Sequence, residues 1–153
     1  MRLQVMSTLL HWLGSFALLI GVLLVVGIPM WIWQSRAKKK KIENVFADRQ
    51  PLDERTFYET YFESRGVPFF VVNKVRQILE EELGADLSRL SIKDDFAHNL
   101  SFFWDYESMA AVEIVVRLEN EFDIKITDAE AERTTSIDDL INLVWSKVRE
   151  RAA

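Results

Sequence analysis

The chain has 153 residues, 49% of them hydrophobic, and no cysteine, which excludes disulfide bonds, thiolate catalysis and cysteine-based metal sites. Of its 19 basic residues, six lie before Ile42, whereas all 24 acidic residues follow it. The chain from Ile42 onward therefore has 13 basic and 24 acidic residues, a formal charge of −11, which disfavours nucleic acid as a partner.

Residues 1–34 are predicted to form a single membrane-spanning helix. Leu9 to Trp33 is free of Asp, Glu, Lys and Arg, and a bilayer needs about 20 such residues. Arg36 and the run of lysines at 38–41 follow directly, so the positive-inside rule places this end in the cytoplasm and the N-terminus outside. A cleaved signal peptide is the alternative, but it carries its positive charges before the apolar stretch.

Residues 35–67 are predicted to contain the basic run, a short polar linker over residues 42–50 and one amphipathic helix that begins near Pro51. Phe57, Tyr58, Tyr61 and Phe62 recur at helical spacing and form an aromatic stripe. The stripe either packs on the domain that follows or docks on a partner or a membrane surface. We expect the first, because an amphipathic helix normally buries its apolar side.

Residues 68–153 are predicted to form an all-α domain of four helices. The first helix runs from Phe69 to Leu83 and ends at Gly84, with Arg76 on its outer side. Its expected core residues are Val71, Val75, Ile78, Leu79 and Leu83. A long loop follows, in which apolar side chains alternate with Asp and Ser; these are Leu87, Leu90, Ile92, Phe96 and Leu100.

Three further helices complete the predicted bundle. The second begins near Glu107 and Ser108, and its apolar stripe consists of Met109, Val112, Val115, Val116 and Phe122. The third is short and opens with a capping box between Thr127 and Glu130. The last opens at Thr135 and Ser136, and its expected buried face consists of Ile137, Leu140, Ile141, Val144 and Val148. Four amphipathic helices around one core form a viable bundle of this size.

This domain resembles the acyl carrier protein family. The similarity covers residues 68–148 in unbroken order: Val75–Gly84, Asp94–Phe96 with Leu100, Glu107–Phe122, Ile124–Ile126, Thr127–Glu132 and Thr134–Leu140. The sequence Glu107-Ser108-Met109 is similar to the family's Asp-Ser-Leu signature. The chain departs from the family before this signature, where an insertion of about four residues brings four aromatic residues, Phe102, Phe103, Trp104 and Tyr106. These either extend the core, which is the default, or reshape the surface and shelter an attached group.

The resemblance implies that Ser108 carries a 4′-phosphopantetheine arm and that the protein is a carrier, not an enzyme. It also implies a partner-binding surface composed of Glu107, Met109, Glu113, Glu119 and Glu121, with a phosphopantetheinyl transferase and acyl-transferring or acyl-activating enzymes with basic patches as partners. A phosphodiester on Ser108 would lie against the free amides at the start of a helix. No catalytic residues, no metal ligands and no nucleic-acid contacts are expected, and membrane lipid is expected beside the anchor.

The predicted fold class is therefore all-α: a transmembrane helix, one extra helix and an acyl-carrier-like four-helix bundle. The expected function is a membrane-tethered carrier of an acyl or aminoacyl thioester for lipid or secondary-metabolite synthesis, fatty acids included. The alternative is an unmodified module of the same fold that recruits partners to the membrane, with Ser108 serving only as a helix N-cap. This module would bind its partner through the acidic second helix and the aromatic insertion. Separately, Glu113, Glu119 and Glu121 have a solvated helix face without a binding role as their alternative.

Overall fold

The computed structural model describes residues 40–103 and 109–152. The predicted membrane-spanning helix, residues 1–34, lies outside these ranges. Within the two described ranges, no helix combines the length and the apolar character that crossing a bilayer requires.

The regular structure of the described chain is helical, as predicted. Its helices are α1 (Glu54–Tyr61), α2 (Phe69–Leu83), α3 (Ala110–Phe122), α4 (Asp128–Arg133) and α5 (Ile137–Ala152), with a 3-10 turn at Glu63–Arg65. Residues 40–45 are also helical. The β pairing found in these ranges is one isolated bridge between Asp95 and Ser136, so the all-α prediction is confirmed for them.

Local sequence signals fix where the helices begin and end. The Asp53 side chain accepts hydrogen bonds from the amides of Arg55 and Thr56 and so caps α1. The predicted capping box of α4, between Thr127 and Glu130, is present in both directions. Gly84 ends α2 in the left-handed conformation, with φ of 54°, which glycine adopts without steric cost.

One hydrophobic core holds the described helices together, with α2 packed against α1, α3 and α5. The five predicted core residues of α2 are all buried, and so are four of the five predicted in α5, Val148 being partly buried. The loop after α2 contributes Leu87, Leu90 and Leu100 to this core. The loop is held to the start of α5 by hydrogen bonds from the Ile137 amide to the Asp94 carbonyl and from the Phe96 amide to the Thr135 carbonyl.

The segment before α2 packs into the same core. Phe57 and Phe62 are buried, and Tyr58 and Tyr61 are partly buried, so the aromatic stripe is an internal packing surface, as expected. Phe46 is fully buried, although a polar linker is predicted around it. The backbone of Leu52 donates a 2.7 Å hydrogen bond to the Ser88 carbonyl. Residues 42–66 therefore form an integral part of the folded unit.

Arg76 lies on the side of α2 that faces this segment, and its predicted outward position is wrong. The residue is only 5% exposed, and its guanidinium lies over the ring of Phe57, 5.0 Å from the ring centroid. One guanidinium nitrogen, Nη2, donates to the carbonyls of Leu52 and Leu87 at 3.0 and 3.2 Å. An amphipathic pattern cannot anticipate this burial, because it depends on the extra helix that covers this side of α2.

Part of the aromatic insertion is also internal. Phe102 and Phe103 are buried, with ring centroids 4.3 Å apart. The default interpretation of core packing is confirmed for these two residues. Trp104 and Tyr106 lie outside the described residues.

Candidate functional site

Ser108 and Glu107, the centre of the predicted site, lie outside the described residues. The next described residue is Met109, which is the N-cap of α3 and is more than half exposed. The helix therefore begins at Ala110, two residues after Ser108, and not at the serine itself. No hydrogen bond from a described side chain caps this end of α3. The first amides of the helix remain available to an acceptor group that precedes the helix.

Two apolar stripes run along α3. Of the predicted stripe, the structure buries Phe122 and leaves Val115 partly buried, whereas the other residues that face the core were not predicted. Ile114, Leu118 and Phe122, spaced four residues apart, face the core. Val112 and Val116, which were predicted to be buried, are 54% and 47% exposed. A helix of this kind has more apolar surface than one core needs, and this surplus was the sequence signal of a second surface.

The second stripe forms one wall of an apolar groove between α3 and α4. The groove has a volume of about 570 Å³. Val112, Val115 and Val116 lie on the α3 side, and Ala131 and Leu143 on the opposite side. The periodicity of a single helix does not reveal this groove, because its walls come from three different helices. A concave, mainly apolar surface of this size is typical of a site for a small apolar ligand.

The short helix α4 is held in place beside the groove by an ion pair. Glu130 lies 2.6 Å from Lys147 of α5. The lysine, together with the hydrogen bonds from Thr127, lowers the pKa of the Glu130 carboxyl from 4.5 to about 2. Glu130 is therefore ionised, and the contact between α4 and α5 is maintained, at every physiological pH.

Three of the four acidic residues predicted for the partner-binding surface are described, and they have different surroundings. Glu119 accepts a 2.8 Å hydrogen bond from the Ile126 amide, and this bond, with one from Lys125, lowers the pKa of its carboxyl. Glu121 lies 3.4 Å from Lys74. Glu113 is exposed and has no side-chain partner among the described residues. The exposed side of α3 therefore has apolar side chains and one carboxylate, Glu113, that forms no ion pair with a described residue. The role of this side in partner binding stays a prediction.

The described residues fit a phosphopantetheine arm on Ser108. The start of α3 offers amides that no described side chain caps, and a phosphodiester is the kind of acceptor that such a helix start binds. The groove along α3 offers apolar surface to a group at the far end of such an arm. In the described part of the chain, no cluster of His, Asp and Glu has an arrangement that would hold a metal ion.

Comparison with known proteins gives independent information on this region. Residues 73–144 match the family model described as a phosphopantetheine attachment site. The chain is 32% identical over 80 residues to the acyl carrier protein of Clostridium acetobutylicum, covering 52% of this chain and 99% of that protein. It is 34% identical over 74 residues to the acyl carrier protein of Cyanidioschyzon merolae, covering 48% of this chain and 77% of that protein.

A solved structure also matches the chain. The solution structure of the acetyl actinorhodin acyl carrier protein from Streptomyces coelicolor is 28% identical in sequence and gives a TM-score of 0.42. The match covers 54% of this chain and 93% of that one.

Proposed function

The chain belongs to the acyl carrier protein family, and on that premise we propose that Ser108 carries the 4′-phosphopantetheine arm. Proteins of this family are carriers and not enzymes, and they interact with phosphopantetheinyl transferases and acyl-handling enzymes. One observation supports Ser108 above the other serines. It stands two residues before α3, a helix whose first amides have no described side-chain cap and whose side chains line an apolar groove.

Intact-mass analysis tests this assignment. Co-expression with a phosphopantetheinyl transferase should add the mass of one arm to the full chain, and Ser108→Ala should abolish the addition. Ser101→Ala is the matched control, because Ser101 lies in the same loop region and its hydroxyl donates to the His98 carbonyl. A wild-type chain that stays unmodified, or a Ser108→Ala chain that is still modified, would overturn the assignment. The first result would favour the unmodified interaction module.

We further propose that the cargo is an aliphatic acyl group rather than an aminoacyl group. The groove walls are mainly apolar, and two acidic residues also line them. Glu119 is occupied by the Ile126 amide and Lys125, and Asp128 is exposed to solvent at the start of α4. Burying an ammonium group against such walls would be costly, whereas burying methylene groups is favourable. On the same modified protein, an octanoyl thioester should shift the NMR methyl signals of Val115 and Leu143, and a glycyl thioester should not. Equal shifts with both cargoes would contradict this specificity.

We also propose that residues 1–34 tether the carrier to a membrane and that the carrier domain lies on the cytoplasmic side. The carrier would then serve lipid or secondary-metabolite synthesis. The uncharged stretch and the lysines that follow it support this arrangement. A tether raises the effective concentration of the carrier near membrane-bound enzymes. The full chain should remain in the membrane pellet after alkaline carbonate washing, and a chain without residues 1–34 should be soluble. Release of the full chain by the wash would contradict the tether.

A further inference from the structure

A second cleft, separate from the groove along α3, lies between the segment before α1 and the loop after α2. It has a volume of about 530 Å³, and Arg49, Arg89 and Lys93 line it together with the Tyr61 side chain and the buried Asp94. We call it the arginine cleft. Part of its wall belongs to residues 42–66, which precede the region that matches the carrier family model.

The lining of the arginine cleft is cationic in a chain that is otherwise acidic. Three basic side chains and one carboxylate contribute to it, a local charge of +2, whereas the chain from Ile42 onward carries −11. At physiological ionic strength, charges further away than about 8 Å are largely screened. Glu43, whose carboxylate lies 3.5 Å from the Arg89 guanidinium, is within this distance and offsets part of the charge, so a small ion within the cleft experiences a reduced but net positive charge.

The one carboxylate of the cleft is already occupied. Asp94 is 1% exposed, and its Oδ2 accepts 2.7 Å hydrogen bonds from Arg49 Nη1 and from the Ser91 amide. Its Oδ1 accepts a 2.6 Å hydrogen bond from Asn99. This carboxylate fixes the position of Arg49 and has little remaining capacity to bind a cation. The cleft is therefore built to present donors.

Several donors of the cleft have no acceptor among the described residues. Arg49 uses only Nη1 in its hydrogen bonds to Asp94 and the Arg89 carbonyl, which leaves its other nitrogens to a ligand. Lys93 is exposed and forms no ion pair with a described residue. Arg89 donates to the Phe46 carbonyl and has only a long 3.5 Å contact with Glu43. A forked guanidinium beside a flexible ammonium suits a tetrahedral oxyanion with several acceptor atoms.

We propose that the arginine cleft binds a phosphate group, either as a free anion or as the phosphate of an anionic lipid headgroup. Arg49 and Lys93 supply the charge-assisted hydrogen bonds, and Arg89 adds a third positive charge. This site does not depend on Ser108 or on the arm that Ser108 is proposed to carry.

Residue-specific NMR of the full chain in neutral detergent micelles tests the site. Titration with inorganic phosphate at constant ionic strength should shift the amide signals of Ser91 and Lys93 and reach saturation. Lys93→Ala should weaken the binding about fivefold, as loss of a partly exposed charge-assisted hydrogen bond does. Lys125→Ala removes the same charge outside the cleft and is the matched control, so it should leave the affinity unchanged.

A second arm distinguishes the two sources of phosphate. Micelles that contain phosphatidylglycerol should shift the same two amides if the ligand is a lipid headgroup, even where inorganic phosphate alone does not. Saturation with inorganic phosphate in plain micelles identifies a free phosphate as sufficient. The proposal is overturned if neither probe shifts these amides, or if Lys93→Ala and Lys125→Ala change the binding equally.

Discussion

Replacing Phe57 by alanine is expected to lower the free energy of unfolding by about 3–5 kcal/mol, the usual cost of removing a buried phenylalanine. Phe57 is 1% exposed, and its ring lies 5.1 Å from that of Tyr61 and 6.0 Å from that of Phe62. It also supports the buried guanidinium of Arg76. Because whole domains are stable by only about 5–15 kcal/mol, this one change should remove a large part of the stability.

Urea unfolding of the full chain in detergent, followed by circular dichroism, measures this effect. Phe70→Ala is the matched control, because Phe70 lies on α2 but is 58% exposed. We expect the control to cost less than about 1 kcal/mol, as surface substitutions usually do. If Phe57→Ala were no more destabilising than Phe70→Ala, the helix before the carrier region would unfold independently. Residues 42–66 would then act as a tether and not as part of the domain.

Replacing Asp94 by alanine should lower the free energy of unfolding by about 2–4 kcal/mol, because it leaves several polar groups without their acceptor. Those groups are the Arg49 guanidinium, the Ser91 amide and the Asn99 amide. This expected loss is smaller than the loss for a fully buried ion pair, since the Arg49 side chain is partly exposed and water can solvate its charge in part.

The same unfolding measurement, with two further variants, tests the role of Asp94. Asp94→Asn keeps the shape and one acceptor oxygen, so its stability should lie between those of wild type and Asp94→Ala. Asp48→Ala, at an exposed aspartate, is the matched control and should change stability by no more than about 0.5 kcal/mol. A similar loss in Asp94→Ala and Asp48→Ala would show that the loop after α2 does not depend on this carboxylate.

The regular elements followed from the sequence because their signals are local. The stripe of Val71, Val75, Ile78, Leu79 and Leu83 predicted α2 and its buried side, and Gly84 marked its end. Thr127 and Glu130 marked the start of α4. Spacing and caps depend on residues within one or two turns of each other, so no knowledge of the rest of the fold was needed.

The candidate site was predicted only in part. The signature around Ser108 comes from its resemblance to a family, and it identifies one residue without any surrounding geometry. The groove along α3 became visible only in three dimensions, because α3 has two apolar stripes and periodicity does not say which one meets the core. The choice of Ile114 and Leu118 over Val112 and Val116 was made by the packing of α2 against α3.

The sequence by itself determined that this protein combines an uncharged N-terminal stretch, a basic run and an acidic helical domain of the carrier type. Tertiary structure alone decided that Phe46 and Arg76 are buried and that Asp94 organises the loop after α2. It also brought Arg49 within reach of Asp94, although 45 residues separate them. The physical reason is the same in each case: burial and ion pairing depend on which distant segment covers a side chain, and local periodicity carries no record of that segment.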